Sequence, residues 1–165
     1  MSTLLEKPIS VNRTLATSIE HARAIEDPAR AKVLQMLYHK NLNAEQITRQ
    51  LKKFGDKKAL TTTRHHLEIL KDSGLIEVVK IEESKGAITK YYGTSIKLLD
   101  FEAPKDFEKK YSSLIESTST KLEKLVNNIS KKTKSRGTQN KQDFSQYIMM
   151  EIVNRAMTNV LEKKT

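Results

Sequence analysis

The residues with the richest chemistry stand together at Thr61-Thr62-Thr63-Arg64-His65, with Glu68 a helical turn beyond Arg64. Hydroxyls, a guanidinium, an imidazole and a carboxylate suit two kinds of work. Catalysis needs a nucleophile aligned with a base, or a metal; recognition of a polyanion needs short polar groups for phosphate oxygens and long donors for base edges. Catalysis finds no support in the chain. It has no glycine-rich phosphate loop, no H-E-x-x-H and no nucleophile elbow. It also has no cysteine, which excludes thiolate metal sites and cysteine nucleophiles. His65 and His66 are neighbours in sequence, so on a helix they point about 100° apart and cannot hold one ion together. His21 and His39 are isolated. No catalytic residue, metal site or cofactor is therefore expected.

The elements that present these residues follow from periodicity. Leu67 and Leu70 mark the buried side of a helix that the threonine run caps and Gly74 ends, which leaves Thr61, Thr62, Arg64, His65 and Glu68 on or near its outer face. Arg64 is the best base-reading candidate, because its fork matches guanine. His66, beside Leu67, reads as a core histidine bonded to backbone. Upstream, Asn43 can cap a supporting helix, with Gln46 reaching back and Ile47 and Leu51 inward. Further upstream, Asp27-Pro28 starts a helix carrying Ala29, Val33, Leu34 and Leu37, with Asn41 as a left-handed stop. Val11, Leu15 and Ile19 suggest an N-terminal helix from about Asn12 to Ala24. After Gly74 the period becomes that of extended chain, at Leu75–Ile81 and Ile88–Tyr92. Between these strands Glu82 to Ala87 predicts a tip longer than a two-residue turn, and Lys80, Lys85 and Lys90 decorate the ribbon.

Beyond Pro104 the chain is helical again. Tyr111, Leu114, Thr118, Leu122, Leu125 and Ile129 form a narrow stripe. The polar stretch Lys131 to Asn140 reads as a hinge. A last helix, about Asp143 to Leu161, is apolar around much of its circumference and needs more than one neighbour.

The chain has 165 residues, 37% of them hydrophobic and 30% charged, with a net charge of +10. That suits one domain with a helical arm and a polyanionic partner. The start shows no signal-peptide pattern and no stretch is long and apolar enough to span a membrane, so a soluble cytoplasmic protein is expected. The positive charge is spread out: Ala24 to Leu99 holds fourteen lysines and arginines against nine acids, and the tail from Asp100 thirteen against nine.

Three segments give a more specific resemblance: A-I-E-D-P-A-R-A-K-V-L at Ala24–Leu34, T-R-H-H-L-E-I-L-K-D-S-G-L-I at Thr63–Ile76, and K-Y-Y at Lys90–Tyr92. With them the chain resembles the ArsR-type winged helix-turn-helix regulators over about half its length. The resemblance implies a mainly α fold with a small antiparallel β-hairpin wing and a C-terminal helical arm. It further implies a homodimer on double-stranded DNA, a repressor or activator, paired through its first and last helices. The expected division is 1–23 for an N-terminal dimerisation helix, 24–99 for the reader and 100–165 for a helical dimerisation region. The DNA contacts are assigned to Thr61, Thr62, Thr63, Arg64, His65, Glu68, Lys80, Lys85 and Lys90. The alternatives are a winged-helix subunit for protein contact in a transcription or chromatin complex, or an RNA-binding protein. Two departures from the family's pattern stand out: the missing cysteines, which exclude thiolate metal sensing, and a longer turn at Lys52–Leu60.

Overall fold

The computed structural model describes residues 16–132 and 141–163. The chain divides into two compact units, one of them Thr17–Phe101, the other containing the two long C-terminal helices.

The first unit begins where Ser18 caps α1 (Ile19–Ile25), its hydroxyl accepting the His21 N–H at 3.0 Å. The helix expected from Asn12 starts later among the described residues, because Ser18 supplies the cap while Ala16 and Thr17 are not helical; Asn12 itself lies outside them. The α2 helix (Pro28–Leu37) begins as the sequence indicates, with the Asp27 carboxylate accepting the Ala29 N–H at 2.8 Å and Pro28 in the first turn. Its end differs. The left-handed residue is His39, at φ +56°, rather than Asn41, because the chain turns at once into the short strand β1 (Leu42–Asn43). Asn43 then closes a capping box on α3 (Ala44–Lys53): its side chain accepts the Gln46 N–H and its own N–H reaches the Gln46 side chain, both at 2.9 Å.

The turn into α4 (Leu60–Asp72) passes through Gly55 at φ +82°, and the helix opens at Ala59 with no side-chain cap. The threonine run does other work. Thr63 is fully buried, and its hydroxyl lies 2.9 Å from that of Thr48 in a hydrogen bond that joins α3 to α4. A threonine cap at the start of α4 and a DNA contact from Thr63 are both corrected by this: a side chain sealed between two helices has no surface left for a phosphate.

The sheet has the order β1-β3-β2, with β2 (Glu77–Ser84) and β3 (Ala87–Gly93) forming the wing. Its tip is a two-residue turn, not the longer loop expected. Ser84 pairs with Ala87, and Lys85 and Gly86 both adopt positive φ, +51° and +78°, the geometry whose twist suits a tight hairpin. A bulge at Val79 separates the Val78–Tyr92 pair from Lys80–Tyr91. The core sits where α2, α3 and α4 meet. Leu34, Leu37, Ile47, Leu51, Leu67 and Leu70 are all buried there, and Tyr92 of the wing and Ala24 of α1 close its edges.

In the second unit, α5 (Phe107–Lys132) and α6 (Lys141–Glu162) pack on each other. Lys131 and Lys132, read from sequence as the start of a hinge, belong to the last turn of α5, and the rest of that stretch, residues 133–140, lies outside the described residues. Of the α5 stripe, Ile129 is buried and Leu122 and Leu125 are half-buried, while Leu114 stays exposed. On α6, Phe144, Tyr147, Ile152, Met157 and Val160 are exposed. The fold is mainly helical, a winged helix-turn-helix followed by C-terminal helices.

Candidate nucleic-acid interface

The inward pull of Leu67 and Leu70 fixes the rotation of α4, so Thr61, Arg64, His65 and Glu68 lie on its exposed side, with Thr62 half-exposed. The wing lies beside that side. In a strand, alternate residues share a face. The pairs Ile81–Lys90 and Glu83–Ile88 therefore lie on one face of the ribbon, and Lys80–Tyr91 and Glu82–Thr89 on the other. Arg64 and Glu68 of α4, Ile88, Lys90 and Tyr92 of β3, and Asn43 to Glu45 at the start of α3 enclose an open hollow of about 420 Å³.

This geometry sorts the residues assigned from sequence. Arg64, Glu68 and Lys90 are brought together on the hollow, with Thr61 and His65 beside them on the α4 surface. Lys85 stands at the wing tip. Lys80 lies on the opposite ribbon face, where it is hydrogen-bonded to Glu82 and sits 5.2 Å from the centre of the Tyr91 ring. Its ammonium is occupied locally, and Glu82 also takes a hydrogen bond from the Tyr91 side chain. Asn43, Ala44, Glu45 and Tyr92 also line the hollow, although the sequence assigns none of them a DNA contact. The capping box marks the α3 terminus in the sequence, but the pairing of Leu42 with Tyr92 and of Asn43 with Tyr91 is what brings that terminus to the wing.

The electrostatics of the hollow are mixed. The hydrogen bond from Lys71 holds the Glu68 carboxyl below its usual range, and the Lys90 charge acts in the same direction. Glu68 is therefore ionised at neutral pH, beside two cations. Such a carboxylate repels phosphate and accepts hydrogen bonds, chemistry suited to the donor groups of a base edge rather than to a phosphate oxygen. Two of the three wing lysines, Lys80 and Lys90, are expected to behave differently. Lys90→Ala should weaken binding to all duplexes and flatten the logarithmic salt dependence by about one unit, whereas Lys80→Ala should leave the slope unchanged. Titrations across a range of salt concentrations check this, and equal slopes for both variants would contradict the placement of the two faces.

His66 is buried on the inner side of α4, as a core histidine should be, but the expected backbone bond is absent: neither ring nitrogen has a hydrogen-bond partner among the described residues. Burial pushes its imidazole below the ordinary value. The Asp27 carboxylate opposes that, and Arg30, Lys58 and His65 add to the depression. As pH falls the unfolded chain takes up this proton first, near pH ~6.5, so the contribution of His66 favours folding above that pH and is lost below it. Urea unfolding between about pH 7.5 and 5.5 should show wild type losing stability relative to His66→Leu. Parallel curves would show that the ring is not held neutral. Asp27 does not confuse the comparison: although burial raises it, the Ala29 N–H and nearby cations leave it below its ordinary carboxylate value, outside that window.

Three helices followed by a two-stranded wing define a winged helix-turn-helix. Residues 25–79 match the family model of a helix-turn-helix domain, of the sort found in ArsR-type and related regulators. The match takes in α2, α3, α4 and the start of β2, and ends before β3 and the C-terminal helices. None of the curated proteins matches the chain. Among the described residues there is no cluster of three or more histidines and acids able to hold a metal, and no helix long and apolar enough to cross a membrane.

Proposed function

We propose that this chain is a cytoplasmic, ArsR-like transcription regulator that binds double-stranded DNA sequence-specifically as a homodimer, acts as a repressor, and has no enzymatic activity. The observation that carries the reading is the exposed α4 face, where Arg64 and Glu68 share one hollow with Lys90 of the wing. A helix of this kind fits the major groove, its polar residues meeting base edges while the wing contacts the adjacent backbone. Thr61, Thr62, His65 and Lys85 are assigned phosphate or base contacts on the same side; Lys80 stays a peripheral candidate.

The homodimer is supported by apolar surface that the chain leaves uncovered. Ile19 of α1 is 72% exposed, and α5 and α6 keep Leu114, Phe144, Met157 and Val160 exposed. In this reading residues 1–23 and 100–165 pair the copies and 24–99 reads DNA. Two readers related by a twofold axis meet successive major grooves about 34–36 Å apart, so the site is an inverted repeat.

Arg64→Ala tests the assignment. The variant should lose discrimination at one base pair per half-site, at a cost of ~1–3 kcal/mol there, and keep its affinity for non-specific duplex. A uniform loss across sequences would make Arg64 a phosphate contact instead.

A further inference from the structure

A second hollow, of about 330 Å³, lies on the first unit between α2 and α3. Met36 forms its floor, Phe54, which is 64% exposed, stands on its wall, and Lys32, Lys40, Gln35 and Gln50 complete the lining. No carboxylate among the described residues pairs with Lys32 or Lys40. The site is thus an apolar slot with two unanswered cations on its rim. Its complement is one bulky apolar side chain flanked by acids.

The chain carries that complement itself. Phe101 is 91% exposed, more than any other large hydrophobic residue among those described, and its neighbours are Asp100 and Glu102. Burying so exposed a ring would take apolar surface out of water, and Phe101 is not among the residues that line the hollow of its own copy. We infer that Asp100-Phe101-Glu102 of a second copy docks in this hollow, the ring against Met36 and Phe54 and the carboxylates against Lys32 and Lys40. Under twofold symmetry each copy gives one such segment and receives one. Aromatic and methionine side chains make favourable contacts, and the flanking ion pairs fix the register of the segment. This inference rests on the homodimer of the proposed function and adds the partner segment and its receptor.

The test is a photo-crosslink. Phe101→p-benzoylphenylalanine, placed in one of two full-length copies of different mass, should on irradiation link to the other copy, with the attachment mapped to the peptide bearing Met36 or Phe54. Phe101→Ala should weaken dimerisation about tenfold or more without moving the melting temperature of the dilute monomer. The pair Lys32→Glu and Lys40→Glu should weaken it as well, and adding Asp100→Lys and Glu102→Lys should restore it. Crosslinks within one chain, crosslinks to other surfaces, or none from a protein that light scattering shows to be dimeric, would overturn the docking while leaving the homodimer standing. A monomeric wild type would overturn both. If Lys32→Glu and Lys40→Glu flatten the salt dependence of DNA binding and leave the dimerisation constant unchanged, the hollow faces phosphate and the docking is wrong.

Discussion

A chain ending at Phe101 is expected to bind its DNA site at least about a hundredfold more weakly than the full-length protein while keeping its own cooperative unfolding. The first unit, Thr17–Phe101, contains the whole core of α2, α3 and α4 with its wing, so removing α5 and α6 takes no side chain from it. Affinity is another matter. A single winged module has few anchors, and linking two readers on one site commonly gains 10²–10⁴ in avidity, about 3–5 kcal/mol. Anisotropy titration on full and half sites, beside a thermal melt, separates the two effects. The full-length protein should favour the full site strongly and the shortened chain should favour it little. Equal affinity for the full site would show that the C-terminal helices do not pair the readers.

Leu67→Ala should be among the most damaging alanine substitutions on α4. The side chain is fully buried in the core shared with α2 and α3, and truncating such a leucine costs roughly 2–5 kcal/mol through lost transfer energy and the cavity left behind. In a domain whose total stability is on the order of 5–15 kcal/mol, that is a large fraction. A melting temperature lower by about 10 °C or more is expected. Sequence-specific binding should fail with it, because the same leucine sets the rotation that presents Arg64 and Glu68. Leu99→Ala is the control: the residue is 67% exposed, and its loss should move the melt little. Similar shifts for both variants would mean that the core assignment is wrong.

These contrasts show where the sequence is readable. Leu67, Leu70, Ile47 and Leu51 announce their burial because helical spacing repeats over several turns, and Asp27-Pro28 and Asn43…Gln46 announce helix starts because capping chemistry is local. The features that escaped are long-range. Thr63 belongs to a threonine run with strong capping preference, yet its partner is Thr48, fifteen residues earlier, and only the packing of α3 on α4 reveals that. Strand β1 has two residues and therefore no period, so its pairing with β3 and the hollow that results are invisible in sequence. Lys80, Lys85 and Lys90 look alike as a string. The bulge at Val79 and the tight turn at Lys85-Gly86 fix the register that sends Lys80 to Glu82 and Lys90 to Arg64's side of the ribbon. The same limit holds for the expected left-handed residue: Asn is the usual choice, but the demands of entering β1 place it at His39.

Whether α4 reads duplex DNA for a paired regulator can be decided by selecting bound sequences from a random duplex pool with the full-length protein. The expected result is enrichment of an inverted repeat whose half-sites are about 10 bp apart, or a multiple of that, with one base pair in each half-site no longer selected when Arg64→Ala is used. No enrichment, or equally tight binding to double-stranded RNA of arbitrary sequence, would contradict it.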